Sequence, residues 1–294
     1  MIAAEVLKQC DGQDGLIDNI ISDPQRCDFF AEALLCTPNA ANQTTASCLS
    51  APQIDTLYHI YNAYVGTNDT LIFPGLNLGS EAQWEVLLGA SEPSSLGTEY
   101  VQDFVLNDPD WSFYDFNDTI VELADQIQPG NATAYDYDLS PFHAQGGKII
   151  MYHGEADALI ATGSSIYFYK QVFKTLMAKG LDLDSWYRFF LVPGMQHCTG
   201  TPTDVNAPYY IAGANQAGSL NTAVYGVPGF RDARHDALLA LMAWREQGTA
   251  PDEVRTINLW MRIITDSFSA HRHEVAKRHN SGPCATTAPV VPLP

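Results

Sequence analysis

Two short apolar segments with one helical pattern between them constrain the fold of this chain more than any other feature. Residues 148–152 are bounded by Gly-Gly and His-Gly, and residues 187–192 end at a proline, as is typical of buried parallel strands. The stretch between them predicts a helix that begins at Ser164 or Ser165 and ends at Gly180. Its apolar face comprises Ile166, Tyr169, Phe173 and Leu176. A strand, a helix and a second strand predict an α/β sheet whose parallel strands are joined by a right-handed crossover.

The rest of the chain divides by composition. At 294 residues it exceeds the usual length of one domain. Residues 1–140 are rich in Asn, Asp, Pro and Gly with few helical runs, and predict an irregular domain tied by disulfides. The clearest helical spacing there is that of Ile54, Leu57, Tyr58 and Tyr61. Residues 141–257 carry the α/β pattern, with a last helix over about 234–248, and residues 258–294 predict a disordered, Pro-rich tail.

Charge and local motifs limit the setting in which the protein works. The 15 Lys and Arg residues against 34 Asp and Glu give a net charge of −19, so nucleic acid and anionic membrane surfaces are expected to be repelled. No stretch approaches the roughly 20 apolar residues of a membrane-spanning helix. Closely spaced cysteines and four glycosylation tripeptides favour a secreted, extracellular protein. The tripeptides begin at Asn42, Asn68, Asn117 and Asn131.

A carboxylate and an imidazole follow the two predicted strands. Asp157 comes after the first strand and His197 after the second, at the edge where open α/β sheets place catalytic groups. Adjacent parallel strands lie ~4.8 Å apart, so the two side chains can meet. Taken singly, Asp157 is more readily a turn residue and His197 a structural one. Together they predict an acid that orients a base, and a base that takes the proton of a serine hydroxyl.

A cysteine directly after this histidine strengthens the catalytic interpretation. A disulfide from Cys198 to a cysteine beside the serine would hold base and nucleophile together, because the Cβ atoms of a disulfide lie ~3.8 Å apart. At this point two segments resemble the hallmark of the tannase and feruloyl esterase family. They are His153-Gly-Glu-Ala-Asp157 and Gly194-Met-Gln-His-Cys198, and residues 189–200 and 235–251 are similar to fungal tannases in particular.

The resemblance implies a fold and an activity. The fold would be the C-terminal part of an α/β-hydrolase, with residues 1–140 as a large irregular lid. The activity would be that of a secreted carboxylic ester hydrolase on phenolic esters, with galloyl esters preferred and feruloyl esters as the alternative. Asp157 and His197 would be the acid and the base of a Ser-His-Asp triad. An alternative of another class is a secreted, calcium-binding glycoprotein without catalysis.

The serine of that triad is not recognisable in the sequence. The family carries it in a Gly-Cys-Ser-x-Gly-Gly segment, and neither this segment nor any Gly-x-Ser-x-Gly occurs among the 294 residues. Ser91, Ser164 and Ser165 lack the predicted strand-turn-helix setting that activates a serine. Residues 1–8 also lack the apolar run of a signal peptide. We therefore expect an upstream segment or chain, linked through Cys198, and a chain that is inactive alone.

The resemblance also interprets the N-terminal segment. By spacing alone residues 10–20 are an Asp- and Gly-rich turn, because an EF-hand needs acids at alternate positions. The resemblance implies a structural Ca²⁺ held by the carboxylates of Asp11, Asp14 and Asp18 and the carbonyls of Leu16 and Ile20. It further implies disulfides between Cys10 and Cys27 and between Cys36 and Cys48. It fades after about Ile257, so Cys284 receives no partner.

Overall fold

A computed structural model of the chain describes residues 1–37, 47–67, 69–202, 205, 211, 230–255 and, for the main chain alone, 275–278. The α-helices are α1 (Ile2–Cys10), α2 (Ala51–Tyr61), α3 (Trp84–Leu87), α4 (Ser95–Glu99), α5 (Asp118–Ile127), α6 (Ser140–Ala144), α7 (Thr162–Met177) and α8 (Ala237–Gln247). The strands are β1 (Tyr64–Val65), β2 (Leu71–Phe73), β3 (Ile149–Gly154), β4 (Tyr187–Val192), β5 (Val254–Arg255) and β6 (Val275–Arg278). Short 3₁₀ helices cover Asp11–Asp14, Pro24–Arg26, Ala31–Leu34, Glu81–Gln83, Phe113–Asp115, Pro129–Asn131 and Leu183–Ser185, and Tyr100–Leu106 is a π-helix. No helix within the described ranges is long and apolar enough to cross a membrane.

The predicted strands form a parallel pair, which confirms the sequence interpretation. β3 and β4 are hydrogen-bonded in register from Ile149 opposite Tyr187 to Gly154 opposite Val192. Helix α7 connects them and buries its apolar face against β4. The fully buried members of this cluster include Tyr169, Val172, Leu176, Trp186 and Phe189. Because the two strands end level with each other, the loops that leave them emerge side by side.

Helix α7 begins earlier than its predicted serine caps. Its first residue is Thr162, and the Ser164 amide already donates a helical hydrogen bond to the Ala161 carbonyl. The Thr162 hydroxyl donates to the Gly154 carbonyl at 2.7 Å, which ties the helix start to the end of β3. The prediction of Ser164 or Ser165 as cap is therefore wrong, because a tertiary contact starts the helix one turn sooner. The end near Gly180 is as predicted, with that residue at φ +71°.

The last predicted helix is confirmed with a later start. Helix α8 begins at Ala237 because the Asp236 carboxylate accepts hydrogen bonds from the amides of Leu238 and Leu239. It ends at Gly248, whose φ of +74° suits a residue without a Cβ.

The tail differs from the prediction of disorder at four residues. β6 pairs antiparallel with both β4 and β5, which gives a four-stranded sheet in the order β3-β4-β6-β5. Residues 275–278 are therefore a strand, because the main chain of β4 offers them hydrogen-bonding partners that a sequence pattern does not reveal. Residues 258–274 and 279–294, including Cys284, lie outside the described residues.

Residues 1–140 contain more short helices than their composition predicts. Two clusters of buried apolar side chains hold them, one around Val6 and Ile21 and one around Ala31 and Leu57. The helical spacing near Ile54 is confirmed by α2, which starts at a capping box formed by Ser50 and Gln53. Both disulfides implied by the resemblance are present, Cys10–Cys27 and Cys36–Cys48.

Removing one of these disulfides should measurably lower stability. Cys10 and Cys27 are 17 residues apart, and closing a loop of about this length contributes roughly 3 kcal/mol in the chain-entropy model. The double variant Cys10→Ala/Cys27→Ala should therefore lose about 3 kcal/mol of unfolding free energy in urea titrations. Cys198→Ala, at an exposed position, is the control. Equal stability of the double variant and the wild type would contradict the expectation.

Candidate active site

The structure brings the predicted acid and base into contact. The His197 Nδ1 atom lies 2.9 Å from the Asp157 Oδ2 atom. The Asp157 side chain is 2% exposed and that of His197 is 39% exposed. The carboxylate is therefore withdrawn into the protein while the imidazole remains accessible, as an acid that orients a base requires.

Four hydrogen bonds hold the Asp157 carboxylate. Its Oδ1 atom accepts from the amides of Leu159 and Ile160, both at 2.9 Å. Its Oδ2 atom lies near the rings of His197 and, at 3.1 Å, of His153. Burial raises the pKa of Asp157, but the hydrogen bonds from His153, the Ile160 amide, His197 and the Leu159 amide outweigh it, so the pKa lies below the ordinary 3.8. Asp157 is accordingly ionised at neutral pH.

The lowered pKa of Asp157 has a consequence for stability. A carboxylate whose pKa is lower in the folded state stabilises that state above the unfolded pKa of 3.8, and this contribution is lost as pH falls through the folded value. The wild type should therefore exceed Asp157→Asn in unfolding free energy at pH 6, and the difference should shrink below about pH 4. Urea titrations across this range measure it, with Asp55→Asn at the surface as control. A difference that stays constant into acid would contradict the expectation.

The loops that carry the two residues are bonded to each other. The Glu155 amide donates to the Val192 carbonyl and the Ala156 amide to the Met195 carbonyl, both at 2.9 Å. A Cβ atom on Gly154 would lie 2.1 Å from the Met195 carbonyl oxygen, so only glycine permits this approach. Sequence reasoning missed this role, although the His-Gly dipeptide at the strand end was its signal.

Two side chains from residues 1–140 also reach the site. The Gln83 Oε1 atom accepts hydrogen bonds from the amides of His197 at 3.3 Å and Ala158 at 3.4 Å. The Asn77 amide group donates to the Glu155 carbonyl at 3.1 Å. The irregular N-terminal region thus bridges both loops. No pattern in the sequence could have identified these residues, because the contacts span more than 70 positions.

The surroundings of His197 bear on where a nucleophile would come from. In the part of the chain that the structure describes, no hydrogen bond joins a serine hydroxyl to His197, and Ser165 instead contacts His153. Cys198 is exposed and adopts a left-handed φ of +60° directly after His197. Partial shielding of its sulfur from water and the charge of Asp157 raise the pKa of the Cys198 thiol.

The predicted calcium ligands form hydrogen bonds to the main chain. Asp11 is buried, and its carboxylate accepts from the amides of Asp18, Asn19 and Ile20 at 3.1 to 3.3 Å. The Asp14 carboxylate accepts from the Leu16 amide and the Ser22 hydroxyl. Among the described residues no three His, Cys, Asp or Glu side chains lie close enough to hold a metal ion. The structural calcium ion therefore stays a prediction, and the carboxylates of the loop now accept hydrogen bonds from main-chain amides and from the Ser22 hydroxyl.

Comparisons with known proteins cover most of the chain. The family described as tannase and feruloyl esterase matches residues 1–259. A probable feruloyl esterase B-1 of Aspergillus terreus is 34% identical over 260 residues, which is 88% of this chain and 46% of that protein. A probable feruloyl esterase B-2 of Aspergillus oryzae is 33% identical over 251 residues, 85% and 44% of the two chains. The chain thus spans a little under half the length of these curated relatives.

Solved structures agree with the fold. The crystal structure of feruloyl esterase B from Aspergillus oryzae superimposes with a TM-score of 0.79 at 29% identity, over 95% of this chain and 52% of that one. A tannin acyl hydrolase from Aspergillus niger superimposes with a TM-score of 0.61 at 23% identity, over 87% and 46%, and supports the fold alone. The predicted fold, part of an α/β-hydrolase, is confirmed by these likenesses, and the assignment of residues 1–140 as its lid stays a prediction.

Proposed function

The chain belongs to the tannase and feruloyl esterase family, and we propose that it supplies the acid and the base of a serine esterase that acts on phenolic esters. The observation that carries the proposal is the 2.9 Å contact between the His197 Nδ1 atom and the fully hydrogen-bonded Asp157 carboxylate. Because Nδ1 faces a carboxylate, it carries the proton, and the Nε2 atom of a neutral ring is the base.

The proposed reaction is acyl transfer in two halves. A serine hydroxyl attacks the ester carbonyl while the His197 Nε2 atom takes its proton, and Asp157 stabilises the imidazolium that forms. The imidazolium then gives this proton to the departing alcohol, which leaves an acyl-serine. Water, deprotonated in turn by His197, attacks the acyl-serine, and the imidazolium gives that proton to the departing serine oxygen as the phenolic acid is released.

The serine would come from a segment outside this sequence. The family's Gly-Cys-Ser-x-Gly-Gly segment does not occur among the 294 residues, and the curated relatives are about twice as long as the matched region. We propose that this segment lies upstream and is linked to Cys198 by a disulfide. The exposed position of Cys198 beside His197 supports the linkage, because a disulfide there would bring the serine to the base.

The names of the relatives bear on the substrate. Two similar curated proteins are named probable feruloyl esterases, whereas the likeness to the tannin acyl hydrolase, at 23% identity, supports the fold alone. The predicted preference for galloyl esters stays a prediction, and feruloyl esters become the first candidate. Both share a phenolic acid on an ester carbonyl, so the same acid and base would serve either.

The test is co-production of this chain with its upstream coding segment, followed by assays on methyl ferulate and methyl gallate. We expect the assembled protein to turn over at least one ester. The chain alone should be nearly inactive, because a missing triad nucleophile costs about 10⁶ in kcat. If the assembly is folded and turns over neither ester, the proposal is wrong.

We propose secretion and a structural calcium ion as further properties. Asn117 and Asn131 are exposed, so a glycan could be attached at either, whereas Asn42 and Asn68 lie outside the described residues. The loop of Asp11, Asp14 and Asp18 has the hard oxygen donors that Ca²⁺ prefers, but its carboxylates would have to turn from the amides that they now contact. Calcium retained after dialysis, and lost in Asp14→Ala but not in Asp28→Ala, would support it. Metal content that is unchanged in Asp14→Ala would contradict it.

A further inference from the structure

The Asp157 carboxylate contacts two imidazoles, of which the proposed reaction uses one. The second belongs to His153, whose Nε2 atom lies 3.1 Å from the same Oδ2 atom that receives His197. The His153 side chain is 10% exposed, so its polar atoms are largely withdrawn from water. An imidazole with so little exposure is expected to have partners on both nitrogens.

The partners of His153 determine its tautomer. The Nε2 atom lies 3.1 Å from both the Asp157 carboxylate and the Ile160 carbonyl, and neither of these groups can donate a proton. Nε2 therefore carries hydrogen and donates it towards both oxygens. In the neutral ring Nδ1 is then an acceptor, and the Ser165 hydroxyl lies 2.7 Å from it. The hydroxyl is the donor in that contact.

Ser165 is held in place by the start of helix α7. The Thr162 hydroxyl binds the Gly154 carbonyl, so the first turn of the helix is anchored to the end of β3, beside His153. Ser165 lies on this first turn and directs its hydroxyl at the ring. The resulting series of hydrogen bonds runs from Ser165 through His153 to Asp157 and joins His197 there.

We infer that Ser165 and His153 are positioning residues, which hold the Asp157 carboxylate in the orientation that receives His197. Their catalytic consequence rests on the proposed function, since it concerns the same acid and base. The amides of Leu159 and Ile160 hold one carboxylate oxygen, and His153 prevents the other from turning away from His197. Without His153, Oδ2 would keep a single partner among the described residues, and that partner is the ring that must be oriented.

The first test uses the chain itself and needs no activity. Long-range ¹H–¹⁵N spectra of the chain labelled at histidine report the tautomer of each ring, and His153→Phe and His197→Phe identify the two signals. We expect hydrogen on Nε2 of His153 and on Nδ1 of His197, two opposite tautomers at one carboxylate. Hydrogen on Nδ1 of a neutral His153 ring would overturn the inference, because Nε2 could then not donate to Asp157.

The same spectra test whether the series of hydrogen bonds acts on His197. His153→Phe keeps a ring of similar shape without a donor, and it should shift the His197 signals. Ser165→Ala should shift the His153 signals, whereas Ser164→Ala, the adjacent serine on the same helical turn, should shift neither. Unchanged His197 signals in a folded His153→Phe protein would overturn the inference.

The second test measures turnover in the assembled esterase. A misplaced carboxylate should lower kcat of His153→Phe by about 10- to 100-fold with KM little changed, because orientation of the base is lost and substrate contacts are not. His153→Gln retains an N–H donor and should recover part of this loss. Equal losses in both variants, or a loss confined to KM, would overturn the positioning role.

The two proposals can fail separately. An inactive wild-type assembly would contradict the proposed function while the tautomer test still decides on His153. Covalent labelling of the isolated chain at Ser165 by a fluorophosphonate would overturn the inference in a different way, because Ser165 would then be a nucleophile with His153 as its base.

Discussion

Replacing His197 by alanine in the assembled esterase is expected to lower kcat by about 10⁶-fold, to the level of an enzyme without its nucleophile. The reason is that, of the two imidazoles that contact Asp157 among the described residues, that of His197 is the more accessible, at 39% side-chain exposure against 10% for His153. The stability of the variant should change little, because a side chain so exposed contributes little buried area. The change in activity would then be chemical and not a consequence of misfolding.

The partner substitution separates orientation from proton transfer. Asp157→Asn should lower kcat by about 10⁴-fold, because an amide cannot stabilise the imidazolium and can hold the wrong tautomer. Steady-state kinetics on methyl ferulate would measure both variants. His59→Ala is the matched control, since it removes an exposed histidine paired with Asp55 at 3.6 Å outside the site. Activity retained in either site variant would exclude these residues from the triad.

Gly154→Ala is expected to lower activity although it adds only a methyl group outside the acid and the base. The added Cβ atom would lie 2.1 Å from the Met195 carbonyl oxygen and 2.5 Å from that of Gln196. Both atoms belong to the main chain, so no rotamer change relieves the contact, and the end of β3 must separate from the loop that carries His197. A displacement of about 1 Å between acid and base can lower kcat by about 10²-fold.

The same substitution should also lower stability. Forcing a methyl group into a packed site costs typically 1 to 3 kcal/mol, so we expect a loss of about 2 kcal/mol in urea titrations. Gly97→Ala in α4 is the control, because a Cβ atom there has no neighbour within 4 Å. A Gly154→Ala protein with wild-type stability and kcat would show that the two loops are not held by this contact.

The sheet and its helices were largely predictable because their signals are local. A short apolar run between glycines predicted β3, and a second run that ends at a proline predicted β4. The stripe through Tyr169 and Leu176 predicted the buried face of α7. The start of α7 was not predictable from the sequence, because the Thr162 hydroxyl binds the end of β3 and the helix begins before Ser164 and Ser165. Composition likewise did not reveal β6, whose hydrogen bonds depend on a strand distant in sequence.

The acid and the base of the candidate site were predictable from the sequence. The residues that hydrogen-bond to them and to their loops were not. Asp157 and His197 follow neighbouring parallel strands that end level with each other, so the two side chains leave the sheet at the same edge and can meet. Gln83 and Asn77 approach from the N-terminal region, where no periodicity relates them to the sheet. The hydrogen bonds of Ser165 and His153 depend on the direction of two side chains, which spacing along the chain does not determine.

By itself the sequence determined the order β3, α7, β4 and α8 and the residues that follow each of the two strands, and the family resemblance added the two disulfides. Tertiary structure alone decided that two imidazoles share one carboxylate, that Gly154 admits the loop of His197, and that the buried Asp11 carboxylate accepts hydrogen bonds from three main-chain amides. The physical reason is that the two kinds of interaction require different precision in the positions of atoms. Periodic burial is averaged over many residues and is legible in the sequence, whereas a hydrogen bond requires atoms placed within a few tenths of an ångström.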